Sequence, residues 1–247
     1  GVHVTVLDSI SFEVASGAFV AFFGPNGCGK STMFRIIGGI DTDFSGEVKI
    51  SGFDPVATKI GHVFQDYNAS LFPWMTLIEN VTFGLRMADM PKGARSDIGR
   101  RLLENMDLLQ SSDAFPYQLS GGMKQKTCIA RALAADYKVL LLDEPFSALD
   151  HDTTYRMQQD FLRLWQPHPR TTLFISHDVD EAILLSDQIV VLSGRPAKVL
   201  EVVKNPLSRP RTIDMILSNE FLEVRNKIIA LSQRSAQCGN DSGLLTT

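Results

Sequence analysis

The chain has 247 residues, of which 44% are hydrophobic and 21% charged, and its formal net charge is −4. This is an ordinary globular composition, with enough apolar mass for one large or two modest domains. The negative balance argues against a nucleic-acid-binding protein, which needs a basic face to neutralise phosphates. Cys28, Cys128 and Cys238 are too far apart to indicate a metal knuckle or a disulfide framework, and such spacing suits a reducing compartment.

No apolar run approaches the roughly 18 residues that span a bilayer, and the first residues alternate instead of forming a signal peptide. We therefore expect a soluble protein that meets a membrane only through a partner. Short continuous apolar runs predict buried strands of a parallel sheet covered on both faces. These runs lie at residues 19–23, 139–142, 173–175 and 189–192.

Alternating stretches near residues 4–14 and 47–50 predict antiparallel strands with one solvated face. Helical patterns dominate from about residue 70 to 137, and an amphipathic helix is expected over 218–231. The fold class predicted is α/β: a mostly parallel sheet, an antiparallel β subdomain and an inserted α-helical subdomain. One domain should span residues 1–233, followed by a disordered tail at 234–247.

A glycine-rich loop follows the first buried strand and precedes a helix that Gly38 and Gly39 should end. Strand, loop and helix in that order make the pattern GPNGCGKST evidence for a phosphate-binding loop. Glycines let backbone amides turn toward phosphates, and the helix N-terminus adds positive potential. Lys30 would reach the β and γ phosphates, and Ser31 would bind Mg²⁺. The predicted ATP-binding residues are Gly24, Pro25, Asn26, Gly27, Cys28, Gly29, Lys30, Ser31 and Thr32. The alternative is a glycine-rich turn that merely caps a helix.

Two carboxylates, Asp143 and Glu144, end the apolar run at 139–142. Neighbouring side chains at a strand end point in different directions, so one acid can hold a metal while the other polarises water. We assign Asp143 to Mg²⁺ and Glu144 to the attacking water. An apolar run that ends in two acids is weak evidence alone, and the phosphate loop upstream makes it strong.

The segment LSGGMKQKTCIARAL begins with a Ser N-cap and two glycines before a helix, an end that should attract an anion. In this segment the sequence resembles the ATP-binding-cassette (ABC) ATPases. Their other motifs follow in order over about residues 5 to 200, and the resemblance implies a P-loop NTPase core. The matched signature residues are Leu119, Ser120, Gly121, Gly122 and Met123. A simple Ser N-cap would explain Ser120 but not the bare Gly121-Gly122 surface.

The resemblance implies that two chains sandwich two ATP molecules head to tail, each signature acting on the partner's ATP. It also implies that Gln65 touches Mg²⁺ and water, that His177 contacts the γ-phosphate, and that Asp150 shapes the dimer contact. A lone histidine at a strand end is more often structural, and the match to the family position reverses that expectation for His177. The family usually stacks adenine on an aromatic residue before the loop, but residues 1–5 contain none, so His3 or an apolar side chain is the candidate.

The stretches 65–85 and 176–196, with their LFPWMT and LSGRP runs, resemble importer ATPases of the nitrate, sulfonate and taurine group. The resemblance implies permease subunits, a solute-binding protein and a peripheral position on the cytoplasmic face of the inner membrane. Candidate permease contacts are Asp66, Tyr67, Phe72 and Trp74, although Phe72 and Trp74 could equally pack in the core. The alternative classes are ABC-type ATPases of DNA repair or translation, and a nucleotide-binding subunit with little turnover.

Cys28 lies beside Lys30 at a helix N-terminus. A positive environment of that kind lowers a thiol's pKa. The sequence therefore predicts a reactive Cys28 that MgATP would shield.

Overall fold

A computed structural model of the chain describes residues 4–50, 60–135, 137–147 and 151–241. The backbone forms two compact units. The first unit combines Gly1–Ala57 with Thr171–Thr247, and the second is Thr58–Arg170.

The strands are β1 (Phe19–Phe23), β2 (Ile60–Val63), β3 (Val139–Asp143), β4 (Thr171–Ile175), β5 (Gln188–Leu192) and β6 (Val199–Lys204). The α-helices are α1 (Lys30–Ile37), α2 (Tyr67–Ser70), α3 (Leu77–Met87), α4 (Lys92–Asn105), α5 (Gly121–Ala134), α6 (His151–Trp165), α7 (Val179–Leu185) and α8 (Asn219–Asp241).

The sheet of the first unit has the strand order β4-β1-β5-β6. β1 is parallel to both β4 and β5, whereas β5 and β6 are antiparallel. The central strands are apolar throughout because both faces are covered, as their continuous runs predicted. Phe19 packs edge-on against Phe174 with ring centroids 5.8 Å apart, and Phe22 packs against Phe34 of α1 at 5.7 Å. This aromatic core fixes β1 and α1, between which the glycine loop runs.

In the second unit β2 and β3 form a parallel pair, with Val63 beside Leu142. Helices α3, α4 and α5 pack on one another over a core that includes Leu77, Leu103 and Ile129. Thr76 caps α3 with a capping box: its hydroxyl oxygen accepts from the Glu79 amide, and the Glu79 carboxylate accepts from the Thr76 amide. The helical insertion predicted for residues 70–137 is thus present as these three helices.

Asn80 of α3 is fully buried and holds the loop before that helix. Its side-chain oxygen accepts from the Phe72 amide at 2.9 Å, and its amide group donates to the carbonyls of Phe72, Met75 and Thr76, each at 3.1 Å. These bonds satisfy the backbone of a loop that carries Trp74 to the surface.

The alternating N-terminal stretch does not form the predicted strand within the described residues. Its backbone pairs instead with Ala197, which donates to the Val6 carbonyl at 2.8 Å and accepts from the Asp8 amide at 2.9 Å. Leu7 and Ala197 form an isolated parallel bridge, and 47–49 also lie outside any strand. Within the described residues, the antiparallel pair of strands is β5 with β6.

The C-terminal helix α8 runs to Asp241 and is longer than the predicted 218–231. The tail predicted at 234–247 therefore begins in a helix, and residues 242–247 lie outside the described part of the chain.

The segment NPLSRPRT, residues 205–212, is bonded to the end of α7. The Asn205 amide donates to the Ser186 carbonyl at 2.9 Å, and Arg211 donates to the same carbonyl at 2.9 Å. Arg209 forms an ion pair with Asp187 at 2.8 Å. The segment is therefore a clamp on the α7–β5 corner.

Candidate nucleotide-binding site

The glycine loop leaves the carboxyl end of β1 and ends at α1. Gly27 and Gly29 have φ angles of 73° and 120°, a region that side chains other than glycine rarely adopt. A Cβ on Gly29 would also lie 2.7 Å from Val6 and 2.8 Å from Leu7, so two requirements fix a glycine at this position. The helix α1 ends at Ile37 with Gly38 as its C-cap, as the sequence predicted.

Lys30 is the first residue of α1 and is only 5% exposed. Its ammonium donates to the carbonyls of Gly24 at 2.8 Å and Pro25 at 3.0 Å, so it lies inside the curve of the loop. A buried cation at a helix N-terminus gives the loop a strong positive potential. The loop is therefore built to receive an anion.

Cys28 contradicts the reactivity that the sequence suggested. The thiol is 1% exposed, and burial raises its pKa even though the Lys30 charge acts in the opposite direction. Desolvation disfavours the thiolate more than one neighbouring cation favours it. The expected low pKa is thus wrong, and Cys28 serves as a small apolar residue under the loop.

Gln65, Asp143 and Glu144 belong to the second unit. Gln65 follows β2, Asp143 is the last residue of the parallel strand β3, and Glu144 comes directly after it. Because these strands run in the same direction, their carboxyl ends lie at the same edge. The Gln65 amide donates to the Glu144 carboxylate at 3.1 Å. Asp143 is buried, at 6% exposure. The structure thus brings together the amide and one of the carboxylates that the sequence nominated.

Glu144 has a left-handed backbone, with φ of 47°. This conformation costs a residue with a side chain about 1–2 kcal/mol. Ser147 stabilises the turn, because its amide and hydroxyl donate to the Glu144 carbonyl at 3.3 and 3.0 Å. Glu144 thus keeps an unfavourable backbone conformation that places its carboxylate beside Gln65 at the end of β3. Strained residues of this kind cluster at active sites, which favours a catalytic role for Glu144.

The signature helix α5 begins after Ser120, whose side-chain oxygen accepts from the Met123 amide at 3.3 Å. The first turn of α5 contains no acidic residue. Ser120 is exposed, while Leu119 is buried and anchors the segment. The amides of Gly121 and Gly122 therefore form the positive end of a 14-residue helix.

His177 is exposed at the end of β4, in the first unit, next to the strand that feeds the phosphate loop. The residues on either side of His177 are held by hydrogen bonds. Ser176 is buried, accepts from the Asp178 amide at 3.0 Å and donates to Glu181. Asp178 caps α7 by accepting from the amides of Asp180 and Glu181. A short, bonded turn thus presents the His177 imidazole to solvent.

Several predicted contributors are not described. Asp150 and His3 lie outside the described residues, so the dimer contact and the adenine contact stay predictions. The phosphate loop and His177 lie in the first unit, whereas the acids, Gln65 and the signature lie in the second.

The loop after Gln65 contains the residues suggested as permease contacts. Asp66 caps α2 by accepting from the amides of Asn68 and Ala69. Phe72 packs on Phe83 with ring centroids 4.6 Å apart. Trp74, in contrast, is 68% exposed. The sequence left open whether Phe72 and Trp74 pack in the core or lie on the surface. The structure shows that Phe72 packs against Phe83 and that Trp74 lies on the surface.

Sequence reasoning missed Tyr117, which is 75% exposed and stacks on Phe115 with centroids 5.8 Å apart. A tyrosine three residues before the signature serine gave no periodic signal that would have identified it as a surface residue.

Known proteins support the same reading. The ABC transporter family pattern matches residues 7–147. The chain is 45% identical over 232 residues to an uncharacterized ABC transporter ATP-binding protein of Methanocaldococcus jannaschii, covering 93% of this chain and 85% of that protein. The chain belongs to the ABC transporter family. It is therefore an ABC ATPase, the ATP-binding subunit of a transporter.

One further relative and one solved structure are also similar to this chain. An aliphatic sulfonates import ATP-binding protein of Bacillus cereus is 41% identical, with 92% of this chain and 88% of that protein covered. A dimeric ATP-binding cassette bound to ADP and Pi in a post-hydrolysis state superposes with a TM-score of 0.72 at 31% identity. That match covers 82% of this chain and 92% of the other, which shows the predicted α/β cassette fold. Every helix in the described part of this ABC subunit is too short or too polar to span a bilayer.

Proposed function

We propose that this ABC subunit hydrolyses MgATP as a dimer and powers the import of a small sulfonate-like anion. The observation that carries the hydrolytic part is the hydrogen bond from Gln65 to Glu144, an acid held in a strained turn at the end of β3. The transport part rests on the family, on the sulfonate-import relative and on the LFPWMT and LSGRP runs.

The phosphate loop supplies the binding energy for ATP. The Lys30 ammonium, now on the Gly24 and Pro25 carbonyls, exchanges these acceptors for the β and γ phosphate oxygens. This exchange is favourable because a charged phosphate is a stronger acceptor than a carbonyl. The amides of residues 24–32 cradle the same phosphates.

The donor set fits Mg²⁺, a hard cation that prefers oxygen ligands. Ser31 offers a hydroxyl, Gln65 an amide oxygen and Asp143 a buried carboxylate. Held by these residues, Mg²⁺ would neutralise the negative charge that develops on the phosphates during transfer.

Glu144 orients the attacking water and accepts its proton. Gln65 holds the carboxylate through its 3.1 Å hydrogen bond, and His177 donates toward the γ-phosphate from the turn after β4. The positive end of α5 stabilises the γ-phosphate of the partner's ATP, so each site needs both chains. ATP therefore favours the closed dimer, and phosphate release lets the chains part.

Trp74 is the contact we propose for a permease. A tryptophan with 68% of its surface exposed, on a loop pinned by Asn80, is typical of a residue buried on binding. The subunit would then sit on the cytoplasmic face of the membrane through that permease, with a solute-binding protein acting from the other side.

The hydrolytic assignment is tested with Glu144→Gln, which keeps the shape of the side chain and removes the base. We expect MgATP binding to persist, turnover to fall by about 10²-fold or more, and ATP to trap a dimer on gel filtration. Glu104→Gln, at an exposed position on α4, is the matched control and should keep normal turnover. Near-normal turnover in Glu144→Gln would refute the assignment.

The importer assignment is tested by reconstituting this subunit with its permease and a solute-binding protein. In proteoliposomes, binding protein loaded with an alkanesulfonate should stimulate ATP hydrolysis and solute uptake. Stimulation by nitrate alone would change the solute class, and outward transport would contradict import. Trp74→Ala should weaken retention of the permease during purification, whereas Leu217→Ala, at a still more exposed apolar residue of the first unit, should not.

A further inference from the structure

The residues that directly follow Gln65 lie along the signature helix. Asp66 caps the short helix α2, which packs against α5. The Lys124 ammonium donates to the Asn68 side chain at 3.0 Å. The Arg131 guanidinium donates to the Ser70 carbonyl at 2.8 Å. Both contacts join the segment after the glutamine to α5 within one compact unit.

These contacts occupy one face of α5. Tyr67 contacts α5 at two positions. Its carbonyl oxygen lies 3.9 Å from the Cys128 sulfur, and its ring reaches Gly121 at the start of the helix. Gly121, Lys124, Cys128 and Arg131 are separated by three, four and three residues, the spacing of a single helical stripe. The segment therefore follows α5 from its first residue to its third turn.

The contact at Gly121 is the closest. A Cβ placed on this glycine would lie 2.9 Å from the Tyr67 hydroxyl oxygen and 3.5 Å from the ring carbon that bears it. All three nearest atoms to that Cβ belong to Tyr67. The side of Gly121 that a side chain would occupy is thus filled by the tyrosine.

We propose that Tyr67 is a positioning residue for the signature: its hydroxyl sets the place of Gly121 and couples the position of Gln65 to the start of α5. The inference rests on the proposed function, in which Gln65 serves one ATP and the signature serves the partner's ATP. A shift of Gln65 moves Asp66 and Tyr67 with it, because only one residue separates Gln65 from the capped turn.

The contact with Tyr67 explains why position 121 needs a glycine: the Tyr67 side chain of the same subunit occupies the space that a Cβ would take. Packed elements transmit displacement because interior atoms leave no free volume to absorb it. A methyl group on Gly121 would push Tyr67 by several tenths of an ångström. Removal of the hydroxyl leaves the ring carbon at ordinary contact distance from that methyl group. Tyr67→Phe should therefore restore room for Gly121→Ala.

The experiment uses the full chain with Glu144→Gln as parent, in which hydrolysis cannot dissolve the dimer. Dimer formation with MgATP is measured by analytical ultracentrifugation, and nucleotide binding by the monomer is measured in dilute protein with a fluorescent ATP analogue. The variants are Tyr67→Ala, Gly121→Ala, and Gly121→Ala with Tyr67→Phe. Tyr137→Phe, beyond the opposite end of α5, is the matched control.

We expect Tyr67→Ala and Gly121→Ala each to raise the dimer dissociation constant about tenfold or more while leaving monomer nucleotide affinity unchanged. Tyr67→Phe should recover a large part of the loss caused by Gly121→Ala, and Tyr137→Phe should dimerise like the parent. A purely structural role would instead lower thermal stability and nucleotide affinity together.

Two results separate the inference from the proposed function. If the parent stays monomeric with MgATP, the proposed function fails and the inference fails with it. If the parent dimerises but Tyr67→Ala dimerises equally well, or Tyr67→Phe gives Gly121→Ala no recovery, only the role of Tyr67 is overturned.

Discussion

His62 makes the stability of the second unit sensitive to acid. This imidazole lies in β2 and stacks on Phe64 with centroids 3.9 Å apart. Burial lowers the pKa of His62 from 6.5 to about 4. The folded state therefore binds fewer protons than the unfolded state between these values, and stability falls as pH drops through 6.5.

The size of the effect follows from the two pKa values. At pH 7.5 both states carry a neutral imidazole, so His62 contributes almost nothing to pH dependence. At pH 5 the unfolded histidine is almost fully protonated and the folded one is not, which costs about 2 kcal/mol of unfolding free energy. Below pH 4 the cost levels off at about 3 kcal/mol.

Urea unfolding at pH 7.5 and pH 5 measures this directly when the wild type is compared with His62→Gln, which cannot titrate. All other groups contribute equally to both proteins, so the difference between their pH dependences isolates His62. We expect the wild type to lose about 2 kcal/mol more than the variant over this range. Parallel losses in the two proteins would refute the buried, neutral imidazole.

Three further predictions concern the loop, its cysteine and the C-terminal clamp. Lys30→Ala should weaken MgATP binding and reduce turnover by about 10²-fold or more, whereas Lys92→Ala, exposed on α4, should do neither; unchanged affinity and rate in Lys30→Ala would argue against the loop. Because burial raises its pKa, Cys28 should react with iodoacetamide at pH 8 at least about tenfold more slowly than free cysteine, with or without MgATP, and fast labelling would contradict this burial. Asp187→Asn should cost roughly 1–3 kcal/mol in urea unfolding because it leaves the buried Arg211 without its carboxylate, while Glu201→Gln at an exposed pair should cost under about 0.5 kcal/mol. Equal unfolding free energies for Asp187→Asn and Glu201→Gln would show that the ion pairs of the clamp do not stabilise the fold.

Local sequence determines much of the fold and the loop. Residues 19–23 and 139–142 are apolar at every position, which is typical of a strand covered on both faces, and both form buried strands. The glycines and Lys30 adopt the positions that their pattern predicts, because positive φ angles and a helix N-terminus are local properties.

The errors arose where distant parts of the chain decide the outcome. The stretch around Leu7 alternates like a strand, but among the described residues Leu7 forms an isolated bridge with Ala197, far along the chain. Cys28 has a cation nearby in sequence, but burial by the rest of the fold outweighs that charge. Arg209 and Arg211 clamp Asp187, more than twenty residues earlier, and no local pattern predicts that pairing.

The measurement that tests the central claim most directly is phosphate release from MgATP by the purified subunit, alone and assembled with its permease. The account predicts steady release that requires magnesium and disappears in Glu144→Gln, while that variant still binds ATP. A wild-type subunit that binds the nucleotide but releases no phosphate in either state would contradict it.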